Sequence, residues 1–171
     1  MKHLILFIGI LAFVACKEEN PSKNDTEIIE AITADIIEDE VQQSVTAVKQ
    51  NLQEKGYQVF DYVDPKSQDT ILMQQYFMAF LKKGPSRSQT KEEADSLQKL
   101  HLAHLGRMYE EGFADISGPF GDDGEIRGIT IYNVPTLEMA DSLANMDPMV
   151  KAGRLVIEIH PWWAAKGFPL R

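Results

Sequence analysis

Two histidines stand three positions apart in a segment with helical periodicity, and an imidazole can give or take a proton near neutral pH. Between Lys91 and Glu111, apolar residues recur at helical spacing and share one stripe with both histidines. The members of that stripe are Ala94, Leu97, His101, His104, Leu105 and Met108. Because such a stripe faces the core, we expect His101 to lie over a sheet, where it is available for proton transfer. The alternative is a structural histidine that forms a hydrogen bond with a backbone group or a serine.

Metal binding is the second chemistry that histidines provide. His101 and His104, together with His160 from a later segment, offer three imidazole ligands. No cysteine pair and no His-Glu-x-x-His motif accompanies them. We therefore predict neither a metal ion nor another cofactor.

Asp147 stands before a proline and six residues before Gly153, which is the pattern of a short capped helical turn. Capping alone explains this aspartate, although a capping carboxylate can hold a second partner as well.

Ser117 and Gly118 end a predicted strand beside the helix that carries the histidines. They can line a cleft, but a junction between a strand and a turn also needs small residues for purely structural reasons.

The predicted elements around these residues follow the order β-α-β-β-α-β, a ferredoxin-like arrangement of the α+β class. The first strand, Thr70 to Leu81, is apolar on both sides, which predicts a central position with helices on one face and a second subunit on the other. After the helix Lys91 to Glu111, Gly112 stops the helical pattern. The remaining elements are the strands Phe113 to Ser117 and Gly128 to Asn133, joined by a Gly121 to Gly124 turn, a helix capped by Thr136 and running to Asn145, and the strand Arg154 to His160.

The beginning of the chain is typical of an exported bacterial lipoprotein. Lys2 and His3 precede the apolar run Leu4 to Val14, which is too short to span a membrane but suits a signal peptide. Small residues then precede Cys16, the only cysteine, as in a bacterial lipobox. We predict cleavage after residue 15 and lipidation of Cys16, with a secreted protein carrying a free thiol as the alternative.

Residues 16–56 form a predicted tether that includes an amphipathic helical segment over 27–54. That segment either packs on the domain or a partner, or is a marginal stalk. Lys17-Glu18-Glu19 resembles the signal that sends Bacteroidetes lipoproteins to the cell surface, although an ordinary charged tether is equally open. The lipid places the protein in the cell envelope, on the outer membrane, facing either the periplasm or the exterior.

The remaining residues, 57–171, can supply one domain with its own core. The 26 acidic and 17 basic residues give a net charge of −9, which repels phosphate backbones. No basic run with interleaved aromatic residues is present. We therefore exclude nucleic acid as a partner.

Several short motifs resemble those of the YCII-related (YciI-like) proteins in order and spacing. They are His101-Leu102-Ala103-His104-Leu105, Gly112, Ser117-Gly118-Pro119, Asp147-Pro148-Met149-Val150-Lys151-Ala152-Gly153 and Glu158-Ile159-His160-Pro161-Trp162. The resemblance covers Gln74 to Trp163. It implies a ferredoxin-like domain that pairs into a dimeric α/β barrel, and thus a homodimer.

The same resemblance implies a catalytic pair at His101 and Asp147, with His104 as an additional histidine. Some members of the family eliminate halide from ring compounds, whereas most have no known reaction. We therefore expect a lipid-anchored domain whose cleft, lined by Ser117, Gly118 and His104, binds a small organic molecule and transfers a proton or eliminates a leaving group. The alternatives are a non-catalytic module that binds a ligand or a protein, and a purely structural envelope protein.

Overall fold

The computed structural model describes residues 44–168 and residue 170. The predicted signal peptide, Cys16 and most of the predicted tether lie outside the described residues. Of the helical segment predicted over 27–54, residues 44–54 are helical and are called α1. Within the described part of the chain, no helix combines the length and apolar character that crossing a membrane requires.

A five-stranded antiparallel sheet with helices forms the domain. From β2 onward the order is β-α-β-β-α-β, with one short helical turn added before the last strand, so the predicted ferredoxin-like α+β fold is confirmed. The elements after α1 are β1 (Val59–Val63), β2 (Thr70–Lys83), α2 (Lys91–Glu110), β3 (Ala114–Pro119), β4 (Ile126–Tyr132), α3 (Leu137–Asn145), α4 (Pro148–Lys151) and β5 (Leu155–Ala165).

Strand β2 is the centre of the sheet. β5 pairs with it from Met73 to Lys83, and β1 and β4 therefore share its other edge. β3 lies outside β4, which gives the order β5-β2-β4-β3. The strand β1 is a correction to the sequence analysis, which placed no strand before Thr70. Its five residues include Asp61 and are mostly exposed. β1 therefore lacks the alternation of apolar and polar residues that predicts a strand.

The two faces of the sheet differ in their cover. Phe77, Ala79 and Leu81 of β2 face the helices and belong to the core. The opposite face of β2 carries Met78 and Phe80, which are only half-buried. Their neighbours on that face include large exposed apolar side chains of β5, Val156 and Trp162. One side of the strand thus has the helical cover that the sequence predicts.

The loop after β2 packs tightly on the segment before β5. The backbone N–H of Gly84 donates to the carbonyl of Arg154 at 2.9 Å, and that of Ser86 donates to the carbonyl of Gly153 at 3.0 Å. A Cβ atom on Gly84 would lie 2.2 Å from the Gly153 carbonyl oxygen. Only glycine permits this approach, which fixes the two segments at one end of the sheet.

Candidate active site

Local signals at both ends of α2 fix the helix that carries His101. Thr90 caps its beginning, since its hydroxyl accepts from Glu93 N while the Glu93 carboxylate accepts from Thr90 N. At its other end Gly112 has a φ of 75°, and the N–H of Phe113 reaches back to the carbonyl of Met108. The helix ends within one residue of the predicted position and buries His101, His104 and Met108 against the sheet.

His101 and Asp147 form a buried hydrogen-bonded pair. His101 Nδ1 lies 2.5 Å from Asp147 Oδ2, and the two residues are 8% and 2% exposed. The other oxygen of Asp147, Oδ1, accepts from the backbone N–H of Met149 at 2.8 Å and so caps α4. The carboxylate therefore serves both roles that the sequence left open, as a cap and as the partner of a side chain.

The direction of this hydrogen bond determines where the free electron pair of the imidazole lies. An ionised carboxylate only accepts, so Nδ1 of His101 donates and the neutral ring keeps its lone pair on Nε2. No described residue forms a hydrogen bond with Nε2. The ring lines a cavity, so Nε2 is available to accept a proton from a bound molecule.

The cavity lies between α2 and the helix-facing side of the sheet. Its volume is about 390 Å³, which lies in the range of sites that enclose a small organic molecule. Apolar side chains from four elements form much of its wall: Leu81, Leu102, Leu105, Met149 and Leu155. The polar groups that complete the lining include Gln98 and His101 of α2.

Ser117 and Gly118 lie where the sequence predicts, in the lining of the same cavity as His101. The hydroxyl of Ser117 lies 3.0 Å from that of Thr130 on the neighbouring strand β4. The carbonyl oxygen of Gly118 lies close to Gly128 of β4. A Cβ atom added to Gly128 would lie 2.6 Å from that oxygen. The missing side chain of Gly128 thus lets β3 and β4 approach each other beneath the cavity, whereas a Cβ atom on Gly118 would meet no atom within 4 Å.

His104 does not line this cavity. It is 4% exposed, and its Nδ1 accepts from a guanidinium nitrogen of Arg107 at 3.2 Å. Burial, opposed by the Asp147 carboxylate, lowers the pKa of His104 below its ordinary value. The ring is therefore neutral at pH 7, and its buried Nε2 has no hydrogen-bond partner among the described residues.

His160 lies on the other face of the sheet. It stands opposite Met78 in the β2–β5 register, and its ring makes an edge contact with Phe80. The sheet therefore separates it from His101 of the cavity. Among residues 44–168, no group of three His, Cys, Asp or Glu side chains is arranged to hold a metal ion.

The sequence analysis missed three arginines that line the cavity: Arg87, Arg127 and Arg154. Each comes from a different segment, and none stands at a helical or strand spacing from His101. The one signal in the sequence is that every one of them lies within three residues of a glycine. Glycine-rich junctions commonly form the rims of sites, but that signal does not say which junctions meet.

No curated protein matches the chain. Among solved structures, a similar chain is 5-chloro-2-hydroxyhydroquinone dehydrochlorinase from Burkholderia phenoliruptrix AC1100, in complex with 2,5-dihydroxybenzoquinone. It has a TM-score of 0.40 and 19% sequence identity, and the alignment covers 51% of this chain and 92% of that chain.

The sequence profile of the YCII-related domain matches residues 76–163. The match begins within β2 and ends within β5, so it includes part or all of each element of the β-α-β-β-α-β unit together with the His101–Asp147 pair. The chain therefore belongs to the YCII-related domain family.

Proposed function

We propose that this domain binds a small organic molecule in the cavity beside α2 and that His101 moves a proton to or from it. One observation carries the proposal: Nδ1 of His101 lies 2.5 Å from Oδ2 of Asp147 at the wall of a cavity of about 390 Å³. The carboxylate fixes the orientation and tautomer of the ring, and it stabilises the imidazolium that forms when Nε2 takes a proton.

The reaction that suits this arrangement is an elimination or an isomerisation. Nε2 of His101 removes a proton from a carbon or hydroxyl of the substrate, and the electron pair of the broken bond forms a new double bond. In an elimination, the bond between carbon and the leaving group breaks and its electron pair departs with that group. In an isomerisation, the π electron pair of an adjacent double bond shifts to the far atom of that bond, which then takes up the proton. The imidazolium then returns the proton to the leaving group, to another carbon or to water.

Proton exchange tests the catalytic part of this proposal without knowledge of the natural substrate. The full chain is incubated in D₂O with ring compounds that bear an acidic C–H bond, and deuterium incorporation is followed by NMR. We expect exchange that the variant His101→Gln loses while it retains ligand affinity. Ligands that bind without exchange in the wild type, or exchange that persists in His101→Gln, would contradict the catalytic role and leave a binding module.

A homodimer formed through the sheet face opposite the helices is the second part of the proposal. Val156 and Trp162 on that face are 46% and 39% exposed, and they adjoin the half-buried Met78 and Phe80. The Lys82–Glu158 ion pair lies between these apolar residues on the same face, and the apolar area that remains exposed is costly in water and favours an apolar partner. A second copy of the same face supplies one with matching chemistry.

The third part of the proposal concerns location, and it rests on the sequence alone. A diacylglycerol thioether on Cys16 would anchor the protein to the outer membrane of the cell envelope. Cells grown with labelled palmitate should incorporate the label into the wild-type chain and not into Cys16→Ser. Equal labelling of the two chains, or no labelling of either, would overturn the anchor.

A further inference from the structure

Arginine, which is rarer than lysine in this protein, is concentrated in the lining of the cavity beside His101. The chain has five arginines, and three of them, Arg87, Arg127 and Arg154, line that one cavity. Within the described part of the chain, no lysine, aspartate or glutamate lines it. The chain has a net charge of −9. The lining of this cavity, with three positive charges and no acidic residue, therefore has a charge opposite in sign to that of the whole chain.

Two of these guanidinium groups have no carboxylate partner among the described residues, and the third contacts an exposed one. Among the described residues, neither Arg87 nor Arg154 forms an ion pair. Arg154 donates one hydrogen bond through Nη1 to Gln89 Oε1 at 2.9 Å, while its Nε is buried without a partner. Arg127 contacts only one carboxylate, that of Asp123, whose side chain is fully exposed.

Arg154 is half-buried, and a half-buried guanidinium without an anion is costly because burial removes water that nothing replaces, whereas Arg87 is exposed and does not carry that cost. The buried Nε of Arg154 also leaves a hydrogen-bond donor unused. An anionic group that enters the cavity would compensate for both costs. The planar guanidinium matches two oxygens of one carboxylate or phosphate, which makes arginine better suited to this task than lysine.

The backbone holds two of the arginines in place before any ligand arrives. Arg87 follows the loop that begins at Gly84, and Arg154 follows Gly153. Hydrogen bonds from Gly84 N to Arg154 O and from Ser86 N to Gly153 O join these two segments. These bonds fix the two backbone segments, and Gln89 also holds the side chain of Arg154, so less entropy is lost on binding than if both segments were free.

We propose that the molecule bound in this cavity is a small organic anion. Its acidic oxygens contact Arg87 and Arg154, with Arg127 at the rim, and its carbon skeleton packs against the apolar wall near His101. The inference rests on the proposed function for the location of the site, and it adds the chemical class of the ligand. An anion so placed also explains how a reacting carbon would be held beside Nε2 of His101.

Calorimetric titration of the full chain with three matched probes tests this inference. Benzoate and phenyl phosphate carry the two candidate anionic groups, and benzamide is the neutral counterpart of benzoate. We expect at least one anion to bind with a Kd below about 10 mM and benzamide to bind at least about tenfold more weakly. Preference for benzoate assigns a carboxylate, whereas preference for phenyl phosphate assigns a phosphate ester.

Charge-removing variants then locate the anion. Arg87→Gln and Arg154→Gln should each weaken binding of the preferred anion by about tenfold or more. Arg154→Lys retains the positive charge but lacks the planar guanidinium group. Its affinity for the preferred anion should therefore lie between those of the two Gln variants and that of the wild type. Lys99→Gln removes one positive charge from α2 outside the cavity, and it should stay within about twofold of the wild type, since exposed charges at a distance are screened.

Three results would overturn the inference: benzamide binding as tightly as benzoate, no binding of either anion, or equal losses in Lys99→Gln and Arg154→Gln. These results differ from a failure of the proposed function. If no proton exchange is found but the arginine variants lose anion affinity, only the catalytic role fails. If His101-dependent exchange occurs on neutral compounds and the arginine variants bind normally, only the anionic ligand fails.

Discussion

Nδ1 of His101 lies 2.5 Å from Oδ2 of Asp147, although 46 residues separate the two in the sequence. The same carboxylate caps α4 through its other oxygen. One residue thus stabilises a helical turn and orients the imidazole at the cavity. Because the two oxygens have different partners, a substitution can keep the cap and change only the contact with His101. Such a substitution separates an effect on the free energy of unfolding from an effect on proton transfer.

Asp147→Asn is that substitution. The amide oxygen can still accept from the N–H of Met149, but the amide nitrogen can only donate to Nδ1, which moves the ring proton to Nε2. We expect proton exchange to fall by roughly 10²–10⁴-fold, the contribution of a positioned acid or base, with little change in the free energy of unfolding. NMR exchange rates and urea unfolding measure the two effects.

The matched control for Asp147→Asn is Thr136→Ala, which removes the cap of α3. It should cost about 0.5–2 kcal/mol of stability and leave the exchange rate unchanged. A normal exchange rate in Asp147→Asn would show that the carboxylate is only a cap.

The second prediction concerns acid sensitivity. Burial lowers the pKa of His104 from 6.5, so near that pH the unfolded chain binds a proton that the folded chain does not. The stability contributed by this group is complete at pH values above 6.5 and is lost as the pH falls from 6.5 towards the lower pKa of the folded state, with a slope of at most about 1.4 kcal/mol per pH unit. Urea unfolding between pH 7.5 and the acid transition should therefore differ in slope between the wild type and His104→Asn. Parallel curves would mean that His104 titrates normally in the folded protein.

The third prediction concerns the contact between the two loop segments. Gly84→Ala would place a methyl group 2.2 Å from the Gly153 carbonyl oxygen, so the segments must separate. We expect a loss of about 1–3 kcal/mol in the free energy of unfolding, typical of an overpacked site, together with weaker anion binding. Gly121→Ala meets no atom within 4 Å and is the control. Equal stability of the two variants would contradict the close approach.

The fourth prediction tests self-association. Val156→Glu places a charge on the exposed sheet face, opposite Lys82, where the single protomer tolerates it. In the dimer the same charge would be buried while Lys82 is already paired with Glu158, so we expect a cost of about 2 kcal/mol or more. Sedimentation should give a dimer mass for the wild type and a monomer mass for the variant. Leu100→Glu alters a residue of α2 that is 52% exposed, and it should remain dimeric. A monomeric wild type would end this part of the proposal.

Elements with local signals were predictable from the sequence, and their bounds were nearly correct. The capping box at Thr90 and the glycine at 112 define α2, and Thr136 caps α3 as predicted. Strand β5 is longer than predicted, because it continues past Pro161 to Ala165. Proline normally interrupts a strand, but β5 lies at the edge of the sheet, where a missing N–H is tolerated.

The site was predictable only in part, because it depends on contacts between distant segments. Periodicity places His101 toward the sheet, and the cap motif places Asp147 at a helix start, but neither pattern says that they meet. The family resemblance supplied that pairing. The convergence of Arg87, Arg127 and Arg154 had no equivalent signal, since it arises from loop packing around Gly84 rather than from any repeat in the sequence.

The alternation of β5 divides one motif between two environments. Ile159 packs with the core beneath the helices, whereas His160 and Trp162 point to the opposite side of the sheet. The thickness of the sheet thus insulates the second group from whatever occupies the pocket. A substitution on one side of β5 can therefore change the core beneath the helices while the exposed side stays as it is, and the reverse holds as well.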